Sequence, residues 1–193
     1  MNSKIKNLTS EILSDTIYSL KKYSFDYNYS GENTAYDVIR EVYDHGDGAC
    51  VLLYNKEKKT VILTRQFRLP TYLNQNMTGY LIEVCAGSLD GDSPEDCAKK
   101  EALEETGYQI KKVEKVLTAY ASPAVMTEIA HLFIAEYTDA MKLQKGGGLE
   151  DEDEYIEVLE MLFDDVYKMI EKGEIQDART IMLVQHLKIK NIL

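Results

Sequence analysis

Residues 86–108 read AGSLDGDSPEDCAKKEALEETGY, and the organisation of the chain follows outward from them. A strand-like run, Tyr80–Cys85, feeds Ala86-Gly87, and a short loop leads to Ser93-Pro94. Serine is a strong N-cap, proline suits the first helical position, and Asp96 stands where a capping-box acid belongs. Gly107 closes the helix, as glycine does just past a helix end. At 3.6 residues per turn, Glu101, Glu104 and Glu105 fall within an arc of about 100° on one helix face.

Three carboxylates so close repel one another unless a cation sits among them. A hard divalent ion such as Mg²⁺ takes oxygen ligands of this kind and brings substrate phosphates as further ligands. An acidic helix face can also be no more than a solvated surface. Two features favour the metal: Ala98 and Ala102 beside the acids let a neighbour pack close, and Gly87 lets backbone approach that face.

A length of 193 residues suits one domain with an accessory element, and 45% hydrophobic residues supply a core. The net charge of −11 argues against nucleic-acid binding, which needs a basic stripe. A few local arginines and a metal can still hold a polyphosphate. Cys50, Cys85 and Cys97 lack metal-ligand spacing and read as buried thiols in a reducing cytosol. No segment approaches 18 apolar residues and the N-terminus has no apolar signal region, so the expectation is a cytoplasmic protein without a membrane partner.

Along the chain, residues 4–44 alternate with period two and are rich in tyrosine. They predict two strands, a turn at Ser30–Asn33, and a third strand over Ala35–Tyr43. So small an antiparallel sheet needs a partner surface, which the main domain at 46–193, a second subunit or both could supply, and residues 1–45 are the natural candidate for a dimerisation element. His45-Gly46-Asp47-Gly48 is a break. A hairpin follows, Ala49–Tyr54 and Thr60–Phe67, with Arg65 and Arg68 at its end as surface arginines or as contacts for phosphate or a base. Strands over Val113–Tyr120 and Ile129–Tyr137 bracket the loop Ser122–Glu128, with His131 read as structural and Glu128 at a strand entrance where that loop could cover a ligand. Lys145–Gly148 reads as a flexible hinge before the acid run Glu150–Glu154, which is either a solvated loop or the carrier of a general base or metal ligand. A strand from Tyr155, a helix over Asp164–Lys172 and a final helix capped by Asp177 end the chain. Arg179 in that helix's first turn is misplaced on dipole grounds and hints at a ligand or partner.

The stretch around the acids resembles the Nudix box, G-x5-E-x7-R-E-U-x-E-E-x-G-U with U aliphatic. Gly87, Glu101, Glu104, Glu105 and Gly107 match, and Tyr108 fills the last position loosely. Ser93 stands at the first Glu, Lys100 replaces the Arg, Ala102 is a small U, and the spacing is one residue short. REVYDHGDGA, LTRQFR, SPAVMTE, GGGLEDEDEYIEV and GEIQDARTI resemble, in order, the Nudix subgroup of GDP-mannose pyrophosphatases, cousins of the ADP-ribose pyrophosphatases.

The resemblance implies an α/β fold, an α/β/α sandwich with a mixed sheet, preceded by an N-terminal antiparallel sheet exchanged across a homodimer. It implies Mg²⁺, with Mn²⁺ as a substitute, on the Ala86 carbonyl, Glu101 and Glu105, with Glu104 as a further ligand or neighbour of the ligands. Glu154 matches the acidic-loop ligand or base, Glu152 is its alternative, and Glu105 also counts among the catalytic residues. Tyr18, Arg40, Arg68, Gly87, Glu128 and Arg179 fall where the subgroup contacts the nucleotide-sugar. The implied reaction is hydrolysis of GDP-mannose to GMP and mannose 1-phosphate. An ADP-ribose or ADP-sugar substrate, and a sensor that binds nucleotide-sugar without turnover, are the alternatives. A plain interaction module would leave the acid cluster unexplained.

Overall fold

The computed structural model describes residues 4–28, 36–149 and 155–193. They form two units. The first is residues 1–47 with 120–129, and the second is residues 48–119 with 130–193.

The first unit carries three antiparallel strands, β1 (Ile5–Asp15), β2 (Ser19–Tyr27) and β3 (Tyr36–Asp44), in that spatial order. The turn expected at Ser30–Asn33 lies outside the described residues. Two register shifts, between Lys6 and Thr9 and between Ile12 and Ser14, interrupt the β1–β2 ladder. Residues 120–129 lie along the end of β3: Tyr43 N–H donates to the Val125 carbonyl at 2.8 Å, and Thr127 N–H returns to the Tyr43 carbonyl at 3.2 Å. Every residue of β1 is exposed, including Leu8 and Ile12, so this small sheet has an uncovered apolar side.

The second unit is built on β4 (Gly48–Asn55), β5 (Thr60–Phe67), β6 (Tyr80–Glu83), β7 (Cys85–Ser88), β8 (Glu114–Tyr120), β9 (Ile129–Glu136) and β10 (Glu157–Leu162). The spatial order is β10-β5-β4-β9-β8, with β6 beside β5 and β7 beside β4. β4 runs parallel to β9 and antiparallel to β5 and β7, so the sheet is mixed. The helices are α1 (Leu69–Leu73), α2 (Pro94–Thr106), α3 (Phe163–Glu171) and α4 (Ala178–Ile189).

Strand β4 shows why the sheet is covered on both faces. A strand's side chains alternate. Cys50, Leu52 and Tyr54 join a core with Val166, Leu183, Val184 and Leu187 of α3 and α4, while Ala49, Val51 and Leu53 join a second core with Cys97, Ala98 and Ala102 of α2. Leu52 and Leu53 are both fully buried, each contributing about 2 kcal/mol by removal from water. The result is an α/β/α sandwich.

Three local features differ from the sequence expectations. The run Tyr80–Cys85 is not one strand: it breaks at Val84, where the chain leaves β5 and joins β4, and the second piece continues to Ser88. Val84 N–H donates instead to Thr180 Oγ1 at 2.8 Å. A five-residue helix, α1, follows Arg68, where the sequence suggested none; Pro70 opens it. Lys145–Gly148 is tied down rather than hinge-like, because Gly147 N–H donates to the Glu105 carbonyl at 2.8 Å and Gly148 N–H to the Glu104 carbonyl at 3.3 Å. No helix among the described residues is long and apolar enough to cross a membrane.

Candidate active site

Helix α2 begins as its sequence demands. Ser93 Oγ accepts from Asp96 N–H at 3.2 Å and donates to Asp96 Oδ2 at 2.8 Å. The helix ends on Gly107 at φ +82°, whose N–H reaches the Leu103 carbonyl at 3.0 Å. Ala98 and Ala102 are fully buried, which lets the helix lie close on the sheet and brings its acids to β7.

There Glu101 rests its carboxylate on Gly87: a Cβ added to that glycine would stand 2.1 Å from Glu101 Oε1. Only a residue without a side chain allows this approach. Glu105, one helical turn on, is 1% exposed. The Cys85 thiol feels both acids. Its pKa is raised well above the ordinary value, first by burial, then by the charges of Glu105 and Glu101. Cys97 is pushed up to about 11, first by burial and then by the charge of Glu101. Glu104 faces Lys100 at 3.8 Å, so lysine at the box's arginine position still sets a cation beside the acids.

These residues fit a divalent cation. Glu101 and Glu105 act on one thiol, the Ala86 carbonyl belongs to the strand against which Glu101 lies, and all the donors are hard oxygens. Among the described residues no three His, Cys, Asp or Glu side chains form a ready-made ion site. Glu152 and Glu154, expected from the sequence as further ligand or base, lie outside the described residues.

A second cluster in the same unit joins Arg68 and Arg179 through a residue sequence reasoning passed over. Glu83, 3% exposed, accepts from Arg68 Nε at 2.8 Å and from Arg179 Nη2 at 3.3 Å. Arg179 Nε also donates to Asp177 at 3.3 Å, which explains its place in the first turn of α4: local acids outweigh the helix dipole there. The available signal was an acid in the middle of an apolar strand, LIEVC.

In the first unit Tyr18 and Glu128 meet around His45. The Tyr18 ring lies 5.3 Å from the His45 ring, and His45 Nε2 lies 3.4 Å from Glu128 Oε2, with both of those side chains largely covered. The sequence marks His45 only as part of a break between strands. Arg40, exposed on β3, donates to the carbonyl of Ile39.

A mixed sheet between helix layers, with a strand–loop–helix that stacks carboxylates over a glycine, defines the Nudix class. The NUDIX domain model matches residues 44–184, and the chain belongs to that family. The chain is 48% identical to the GDP-mannose pyrophosphatase of Cronobacter sakazakii, over 100% of both chains. It is 51% identical to the enzyme of that name from Pectobacterium atrosepticum, over 98% of this chain and 97% of the relative. With that of Yersinia pestis the identity is 49%, over 98% and 94%. The crystal structure of an ADP compounds hydrolase superposes with a TM-score of 0.74, covering 99% of this chain and 98% of that one, at 16% identity, a likeness of fold.

Proposed function

We propose that this Nudix hydrolase cleaves the pyrophosphate bond of GDP-mannose, giving GMP and mannose 1-phosphate. The observation that carries the reaction type is the Glu101 carboxylate seated on Gly87 beside the buried Glu105. End-to-end identity near one half to proteins named GDP-mannose pyrophosphatases supports the choice of substrate.

Mg²⁺, with Mn²⁺ as a substitute, would be held by the Ala86 carbonyl, Glu101 and Glu105, with Glu104 and Glu154 as further ligands. When bound, it offsets charge on the pyrophosphate oxygens and acidifies water. Arg68 and Arg179 take phosphate oxygens, and Tyr18, Arg40 and Glu128 contact the nucleotide-sugar. Glu154, or Glu152 in its place, accepts the proton of the attacking water. Water adds to one phosphorus, the bridging P–O bond breaks, and the two monophosphates leave. The exposed β1 surface supports a homodimer formed through residues 1–45. Three free cysteines suit a reducing cytoplasm.

The test is incubation with GDP-mannose and with ADP-ribose, in Mg²⁺ and in EDTA, with GMP and AMP quantified. GMP alone, lost in EDTA and in Glu105→Gln, is expected. AMP alone moves the substrate. Binding without either product replaces the hydrolase with a sensor.

A further inference from the structure

Glu83 lies at the end of β6, just before the break where the chain crosses from β5 to β4. A carboxylate buried to this degree persists only when paired. Each of its oxygens serves a different guanidinium: Oε2 accepts from Arg68 and Oε1 from Arg179. The arginines themselves stay partly open, with side chains 37% and 26% exposed. Glu83 therefore pairs with two cations whose side chains remain partly accessible.

A purely structural role would have the ion pairs dock α4 on the sheet. That docking is secured by other contacts. Val84 N–H donates to Thr180 Oγ1, Thr180 N–H and Oγ1 donate to Asp177 Oδ2 at 2.8 and 2.7 Å, and Leu183, Val184 and Leu187 are fully buried. The backbone of Arg68 is held as well, its N–H donating to the Gly79 carbonyl at 2.8 Å. Asp177 pairs with Arg179, and what Glu83 adds is a single carboxylate shared by both guanidiniums, which keeps them side by side where they would otherwise repel.

We infer that Glu83 is a positioning residue that holds Arg68 and Arg179 as one preorganised fork for a diphosphate. The inference rests on the Nudix reading of the site proposed above. Glu83 and Asp177 together balance the charges of Arg68 and Arg179, so what the cluster offers a diphosphate is fixed donor geometry rather than excess charge. Arg68 spends its Nε on Glu83, and no hydrogen bond from its terminal nitrogens occurs among the described residues. That pair matches two oxygens of a phosphate. Ala86 follows three residues later, across the break at Val84, so the fork and the acid cluster share one short run of chain.

The chemistry demands glutamate. Glutamine of the same shape has one acceptor oxygen and an NH₂ that would face a guanidinium donor to donor, releasing one arginine.

Calorimetric titration of inorganic pyrophosphate in Mg²⁺ reads the fork without turnover, in the wild-type chain, Glu83→Gln, Arg68→Met and the double variant. Glu83→Gln is expected to weaken binding at least about tenfold, with Mn²⁺ affinity unchanged. Arg68→Met should cost much less in the Glu83→Gln background than alone, since neighbours that act together are not additive. Wild-type affinity in Glu83→Gln, additive losses, or no pyrophosphate binding by the wild-type chain overturns the inference. If Glu83→Gln does not fold, Glu83→Asp decides, because it keeps the charge but withdraws it by one methylene: weakened pyrophosphate with intact Mn²⁺ affinity supports the fork, and unchanged affinity overturns it. Pyrophosphate binding without GDP-mannose hydrolysis sinks the functional reading and leaves the fork standing. Full GDP-mannose turnover with normal KM in Glu83→Gln does the reverse.

Discussion

Replacing Gly87 by alanine separates the geometry of the acid cluster from the stability of the fold. An added Cβ would stand 2.1 Å from Glu101 Oε1 and 2.2 Å from its Cδ, and the three atoms nearest to it all belong to that carboxylate. Gly87 is not among the glycines at positive φ, so alanine fits the backbone without strain. The obstacle is the far end of a flexible side chain, which can swing away. To reach ordinary contact near 3.4 Å the carboxylate retreats by about 1.3 Å, and misplacement of about 1 Å at a reacting centre costs on the order of 100-fold. That is about 2.7 kcal/mol of transition-state stabilisation. Stability should stay within about 1 kcal/mol, a Tm shift of roughly 2–4 °C in a protein of this size. The assay pairs GMP release, across a Mg²⁺ titration, with scanning calorimetry. A wild-type kcat/KM would refute the placement of Glu101 on Gly87. A collapse of Tm would show that Gly87 serves packing instead.

Gly107→Ala should act oppositely, on stability first. Its φ is +82° and its Cβ would meet the backbone carbonyl oxygen of Gln144 at 2.1 Å, so a loss of at least about 2 kcal/mol is expected in urea unfolding. The buried thiols should resist iodoacetamide at pH 8 and react once denaturant is added, because Cys97 titrates near 11 and Cys85 is also raised. Both thiols hold their protons more tightly when folded. Their contribution is therefore complete below the unfolded thiol pKa of about 8.5 and is lost as pH rises toward 11, visible as a falling Tm. At the acid end, burial raises the pKa of Glu160, but hydrogen bonds from Tyr137 and Lys58 outweigh it and hold the carboxyl below its ordinary value. Its stabilisation is present above the unfolded carboxyl pKa and is lost as pH falls through the lower folded one. Tyr137→Phe should make stability fall less steeply in that acid range, and an unchanged slope would exclude the contact as its source.

The acid helix was legible in the sequence because its determinants are local. Ser93 caps the third residue after it, Gly107 takes the left-handed conformation that favours glycine, and the spacing of Glu101, Glu104 and Glu105 puts them on one face whatever surrounds them. The strands of the hairpin and the final helix were legible for the same reason, from periodicity and caps. Only the tertiary structure decided where the neighbours lie. The break at Val84 depends on which strand each half pairs with, and the glycine triplet at 146–148 is held by carbonyls from the end of a helix about forty residues earlier. Glu83 reads in sequence as one charge in an apolar strand. It becomes the counter-ion of two arginines because the fold closes a sequence separation of 96 between it and Arg179, a pairing that no local rule of spacing encodes.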